Sequence, residues 1–159
     1  MTSLRRLTRD DLPRLRQFWV EHWDGEEMVL HGEVFRLDQL DGFVTEDWQG
    51  LVTFYAFDAE CEIVSLDSLR EGQGFGTKLL NAVVDEARKQ KRKRVFLSTT
   101  NDNLHALCFY QKRGFELVAV HRGAVNESRK IKPSIPLTGN DGIPIRDEIE
   151  LEMNLQVKS

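Results

Sequence analysis

The tightest constraint on this chain is a run near its middle, Leu66-Asp67-Ser68-Leu69-Arg70-Glu71-Gly72-Gln73-Gly74-Phe75-Gly76-Thr77-Lys78-Leu79-Leu80. A strand-like stretch enters it and a helix-like stretch leaves it, so it reads as strand end, turn and helix start. Gly72, Gly74 and Gly76 remove every second Cβ. Such a backbone can adopt dihedrals closed to other residues and lets a ligand come close. The following helix would begin with N–H groups that lack helical partners and with the positive end of its dipole. Together these features make a cradle for a phosphate-like anion; a flexible connection is the other reading of the same three glycines. Two familiar phosphate loops do not fit. A nucleoside-triphosphate loop needs Gly-Lys-Ser/Thr, whereas Thr77 precedes Lys78 here, and a dinucleotide fingerprint needs a third glycine where Leu79 stands.

The flanks carry regular patterns. Leu79, Leu80, Val83, Val84 and Ala87 form one stripe of a helix from Thr77 to Lys89. Upstream, the stretch 42–66 predicts a meander of strands at Phe43-Val44, Leu51 to Phe57 and Glu62 to Leu66. Alternation along the last of these puts Glu62, Val64 and Leu66 on one face and Ile63 and Ser65 on the other. Nearer the start, Leu4 to Leu7 reads as a short strand and Thr8 as the cap of a helix. Leu12, Leu15, Trp19 and Trp23 share one face of that helix, with Phe18 beside it, and read as core. The residues Val34 to Leu40 read as a second helix.

Downstream, Val95 to Thr99 predicts a buried strand and Asn101-Asp102-Asn103 a turn into a helix bearing Ala106, Leu107 and Tyr110. Gly114 ends that helix. Phe115 to Val120 and Glu148 to Met153 read as strands. Strand and helix alternate here, which implies parallel pairing of the two strands flanking the glycine turn. The stretch from Arg122 to Arg146 is punctuated by proline and glycine and is longer than most loops, which marks a functional or mobile excursion.

With 159 residues the chain suits one domain spanning 1–159. A net charge of −4 gives no overall pull toward nucleic acid or anionic lipid. The basic run Lys89 to Arg94 sits where a helix dipole favours cations, and no aromatic residue interleaves it, so we expect no nucleic-acid partner. Cys61 and Cys108 fall in elements expected to be buried, without metal-type spacing, and read as reduced packing residues of a cytoplasmic protein. The first residues lack the apolar stretch of a secretion signal and no apolar run reaches membrane-spanning length. We therefore expect neither metal nor membrane.

The segment Asn103-Leu104-His105-Ala106-Leu107-Cys108-Phe109-Tyr110-Gln111-Lys112-Arg113-Gly114-Phe115 resembles the second signature of the GCN5-related N-acetyltransferase (GNAT) family at every element. The family's first signature is matched at Gly74 and Gly76, with Glu71 where it has Arg or Gln. The resemblance implies an α/β (α+β) fold with a mixed, mostly antiparallel central sheet and helices on both faces. It implies acetyl-coenzyme A (acetyl-CoA) as donor and an amine as acceptor. The donor's pyrophosphate would lie on backbone N–H groups of Gly72, Gln73, Gly74, Phe75, Gly76 and Thr77. Its amide-rich arm would pair with Leu66, Asp67 and Ser68, on a strand splayed by a bulge. Asn103 would contact the arm or cap its helix. Tyr110 would protonate the departing thiolate and touch the cofactor. Glu62 is the first candidate for general base and Asp67 the second. His31 and Arg36 would lie on the acceptor side, and pairing into a homodimer is a further implication. A non-catalytic acyl-CoA-binding regulatory module is the alternative function.

Overall fold

A computed structural model describes residues 3–23, 25, 27–69 and 74–156, in two compact units. The first contains most of the chain up to Val95, except 29–34; the second contains 29–34 and 96–154. Seven strands form a mixed, mostly antiparallel sheet, four in the first unit and three in the second.

In the first unit the meander is β4 (Asp41–Thr45), β5 (Gly50–Phe57) and β6 (Glu60–Ser68), with β1 (Leu4–Arg6) paired antiparallel on the outer side of β4. The turn between β4 and β5 is closed by Thr45, whose Oγ1 accepts N–H bonds from Gln49 and Gly50. β5 and β6 pair from Gly50 opposite Ser68 to Phe57 opposite Glu60. Thr53 lies opposite Ser65 but Phe54 lies opposite Ile63, so the register passes over Val64. This is a bulge in β6, and it overturns the face assignment read from simple alternation. Glu62 and Ser65 share the face of Thr53 and Tyr55, whereas Ile63 and Leu66 lie with Phe54 and Val52. The buried Thr53 and Ser65 hydroxyls are 2.6 Å apart, as a shared face requires.

Helix α2 (Phe75–Lys89) covers the Val52 face of this sheet with Phe75, Leu79, Leu80, Val83, Val84 and Ala87 buried. Each of these Phe, Leu and Val side chains contributes about 1.5–3 kcal/mol of apolar burial. Helix α1 (Leu12–Trp23), led in by a 3-10 turn at Arg9–Asp11, buries Leu15, Phe18 and Trp19. Its last residue, Trp23, is not core as expected: it is 38% exposed and reaches Asp67 on the opposite face from α2. The helices therefore lie on both faces of this part of the sheet.

The expected second helix over 34–40 is not formed. Glu27–Leu30 (β2) and Glu33–Arg36 (β3) make a two-stranded hairpin, followed by a 3-10 turn at Leu37–Gln39. His31 and Gly32 at its tip both have positive φ, 42° and 78°, as a type I′ hairpin turn demands. Phe35 and Leu37 are buried, and their spacing of two is that of one strand face rather than of a helix stripe.

In the second unit β7 (Arg94–Thr100), most of which belongs here, is followed by α3 (Leu104–Lys112) and β8 (Glu116–His121). Helix α4 (Ala124–Ile131) and β9 (Glu148–Asn154) complete it, and the strand order is β7-β9-β8. The stretch 122–146 contains a helix and a loop tied to the rest of this unit by hydrogen bonds. The Asn101 side chain accepts N–H bonds from Arg146 and Asp147, both at 3.0 Å, and donates to the Pro144 carbonyl at 2.9 Å. The Asp102 carboxylate, 4% exposed, accepts from the Asn140 N–H at 2.9 Å. Arg129 donates to the carbonyls of Ile135, Pro136 and Ile145. Cys61 is buried, as expected, but Cys108 is exposed on α3.

Candidate active site

The strand–turn–helix junction is built around Gly50. A Cβ at Gly50 would lie 3.0 Å from Leu79 Cδ1, 3.2 Å from Thr45 Cγ2 and 3.4 Å from Phe75 Cβ. The first turn of α2 therefore packs directly on the backbone of β5, beside Ser68 at the end of β6. Gly74 is the N-cap of α2 and has φ 74°, a left-handed conformation that suits glycine. It has no side chain to cap the helix, and among the described residues a Cβ there would meet nothing within 4 Å. The first helical bond runs from the Lys78 N–H to the Gly74 carbonyl at 3.1 Å. The N–H groups of Phe75, Gly76 and Thr77 thus precede the helical ladder and form its positive end. The residues Glu71, Gly72 and Gln73, also assigned to this turn, lie outside the described residues.

On β6, Leu66 pairs opposite Val52, Asp67 opposite Leu51 and Ser68 opposite Gly50. The edge of this segment facing β5 is thus in use, and a further chain would have to pair along the other edge. Glu62 is deeply buried, 1% exposed, opposite Tyr55. Asp67 is part-buried, and its Oδ2 accepts the indole N–H of Trp23 at 2.9 Å. Burial pushes the Asp67 carboxyl up to about 6, although the Trp23 hydrogen bond and the nearby His22 pull the other way. Trp23 was missed as a site residue because its helical spacing from Leu15 and Trp19 is that of a core position. Its place in the last turn of α1, where the buried stripe runs out, was the available signal.

In the second unit Asn103 is the N-cap of α3, its side-chain oxygen accepting from the Ala106 N–H at 3.1 Å. The capping role is thus realised. Tyr110, 7% exposed, lies on the same helix, with its ring edge-on to Phe109 and Phe115 at centroid distances of 5.1 and 5.5 Å. The His31 N–H is shared by both oxygens of the buried Glu148, at 3.0 and 3.1 Å. A carboxylate on β9 thereby anchors the β2–β3 turn. Arg36 is exposed, and its backbone N–H donates to the Gln39 side chain at 3.2 Å. Asp147 accepts from the Gly123 N–H at 2.9 Å and pairs with Arg146 at 3.1 Å, which holds its carboxyl below the ordinary range.

The basic run after α2 is engaged locally. Arg92 donates to the Asp58 carbonyl and Arg94 pairs with Glu60 at 2.7 Å. Among the described residues no group of three or more His, Cys, Asp or Glu side chains could hold a metal ion. No described helix is long and apolar enough to cross a membrane.

The sequence model of the acetyltransferase (GNAT) family matches residues 4–115. This chain belongs to that family. A Bacillus subtilis protein, YxbD, is 44% identical over 143 residues, covering 87% of this chain and 90% of that protein. The spermine/spermidine N(1)-acetyltransferase of Bacillus subtilis is 38% identical over a shorter stretch of 52 residues, 32% of this chain and 34% of that enzyme. Among solved structures, a Bacillus subtilis acetyltransferase in complex with CoA superposes with a TM-score of 0.70 at 18% identity, covering 98% of this chain and all of the other. In this GNAT acetyltransferase the matched region includes the bulged β6, the left-handed cap of α2 and the Asn103–Tyr110 helix.

Proposed function

We propose that this acetyltransferase moves an acetyl group from acetyl-CoA to a primary amine by direct attack in a ternary complex. The observation that carries the reading is the start of α2. It is a helix N-terminus capped by a left-handed glycine, where an added Cβ would meet nothing within 4 Å among the described residues, and it packs through Gly50 against the end of β6. That arrangement suits a diphosphate, which the N–H groups of Phe75, Gly76 and Thr77 would bind, with Gly72, Gln73 and Gly74 completing the turn. Leu66 to Ser68 would pair with the donor's amide-rich arm as an added strand does. A backbone N–H near Leu66 would stabilise charge developing on the acyl oxygen. The donor supplies an activated thioester carbon; the chain supplies orientation and proton transfer.

Tyr110 would give its hydroxyl proton to the leaving thiolate. Asn103 would hold the start of the helix that carries Tyr110 and contact the donor's arm. Of the two candidate bases, Asp67 retains access to solvent, whereas Glu62 is almost fully enclosed; we favour Asp67. The stretch shared with a spermine/spermidine acetyltransferase supports an amine acceptor. The free Cys61 and Cys108 fit the proposed cytoplasmic setting.

The test is thiol release from acetyl-CoA across a panel of polyamines, amino sugars and peptide N-termini, with calorimetry of CoA binding in parallel. Tyr110→Phe should lower turnover by about 100-fold or more, with CoA affinity nearly unchanged. Equal turnover in the variant refutes the acid role. Tight CoA binding by the wild type without turnover on any amine would point instead to a non-catalytic binding module.

A further inference from the structure

The strand that leads into the glycine turn carries its irregularity at a chemically marked place. β6 pairs regularly with β5 from Ser68 opposite Gly50 to Ser65 opposite Thr53, and again from Ile63 opposite Phe54 to Glu60 opposite Phe57. Val64 is left over, so Val64 and Ser65 together face the single residue Thr53. The flanks require one extra residue. Without it Glu62 would turn to the α2 side and Ile63 away from it, burying an acid against the apolar stripe of α2. The flanks do not fix which residue is extra. With Ser65 in that role, Val64 would take the place opposite Thr53, while Leu66 and Ile63 kept their partners. Side-chain chemistry decides between the two. The Thr53 and Ser65 hydroxyl oxygens are 2.6 Å apart, and the residues are only 0% and 4% exposed. On the other side of Thr53, β4 offers Gly42, which has no side chain. With Val64 in its place, Ser65 would leave the Thr53 hydroxyl buried and unpaired, which is worth about tenfold or more in an equilibrium between two local registers.

We propose that Thr53 and Ser65 are positioning residues: their hydroxyl pair holds the bulge at Val64 and so aims the backbone of Leu66, Asp67 and Ser68 for the amide arm of acetyl-CoA. This rests on the acetyl-transfer reading above, which assigns that backbone to the donor. Ser65 is the residue immediately before Leu66. A bulge bends its strand and raises the local twist, so moving it from Val64 to Ser65 would re-aim the N–H and C=O groups that follow. Neither hydroxyl takes part in the chemistry. Packing alone would need only the volume of the two side chains, which Val and Ala nearly supply. Replacing both partners by apolar groups of similar shape leaves no buried group unpaired and can be almost neutral for stability, whereas replacing one strands the other. The double replacement therefore removes the pin while sparing the fold, and separates positioning from stability.

The experiment measures CoA affinity by calorimetry and the urea midpoint for the full chain as wild type, Ser65→Ala, Thr53→Ser and the double variant Thr53→Val with Ser65→Ala. Ser65→Ala should weaken CoA binding about tenfold and lower the midpoint. The double variant should regain a midpoint near that of wild type and still bind CoA about tenfold more weakly. Thr53→Ser keeps the hydroxyl and should bind CoA within about 3-fold of wild type. Recovery of both midpoint and affinity in the double variant would overturn the positioning role, because the hydroxyls would then matter only for stability. CoA binding by Ser65→Ala within about 3-fold of wild type would overturn it too. If Ser65→Ala alone does not fold, the double variant decides on the same terms. If the double variant stays destabilised, Thr53→Ser decides: a loss beyond about 3-fold despite the retained hydroxyl overturns the role. A wild type that gives no heat with CoA overturns the donor reading and this inference with it, whereas a wild type that binds CoA no better than its variants overturns this inference alone.

Discussion

Asp67→Asn should make the protein more stable at neutral pH even as it damages activity. In the folded protein burial lifts the Asp67 carboxyl from 3.8 to about 6. A group whose folded value is raised contributes stability that is complete below the unfolded value and is lost as pH rises through the folded value. The loss therefore develops between about pH 4 and pH 6 and is complete above it. Each pH unit of separation corresponds to about 1.4 kcal/mol, so the ionised form destabilises the native state by roughly 3 kcal/mol at pH 8. Asparagine has the same shape, carries no charge, and keeps a carbonyl oxygen that can accept the Trp23 N–H. The variant should gain about 1–3 kcal/mol over wild type at pH 8, and the gain should shrink toward pH 4. Urea unfolding at pH 4, 5, 6, 7 and 8 measures this directly through the midpoint at constant slope. Curves that stay parallel across the range would refute the reasoning, because they would mean that Asp67 ionises in the fold as it does in water.

Three further outcomes follow from the packing. Gly139→Ala would put a Cβ 2.0 Å from Asp102 Oδ2 and 2.7 Å from Ile145 Cδ1; forcing Asp102 off the Asn140 N–H should destabilise by about 1–3 kcal/mol, and an unchanged urea midpoint would contradict it. Asn103→Ala removes the Ala106 cap and should cost about 1 kcal/mol, whereas Asn103→Ser should restore most of it; measuring CoA affinity in both variants separates capping from cofactor contact. Asp11 accepts a two-pronged bond from Arg5, at 2.7 and 2.8 Å, which holds its carboxyl at about 2. The stability this adds is present above 3.8 and lost as pH falls through about 2, so Arg5→Gln should lower the melting temperature at pH 7, and the difference should shrink steadily as pH falls from about 4 through about 2.

Residue pattern alone reached far into this protein because its strongest signals are local. The stripe from Leu79 to Ala87, the meander from Gly42 to Leu66 and the cap at Asn103 depend on periodicities and side chains a few residues apart; the stripe and the cap appear where they were read, and the meander extends to Asp41–Ser68. Two glycines at fixed spacing and the Asn103-to-Phe115 signature were enough to identify the family. Local pattern failed where a distant partner decides. Val64 breaks the alternation of β6 because the register against β5 is set by pairing over the whole strand, and the bulge turns Ser65 away from Ile63. The β2–β3 turn at His31 is anchored by Glu148, more than a hundred residues away in sequence, and the loop before β9 is tied by Asn101, Asp102 and Arg129. Trp23 has the spacing of a core residue, yet lies where the core ends. Chain geometry could place Asp67 beside the glycine turn, but only tertiary packing could bury it in part and set the Trp23 indole against one of its oxygens. Ionisation depends on what surrounds a group in space, and sequence neighbours specify very little of that.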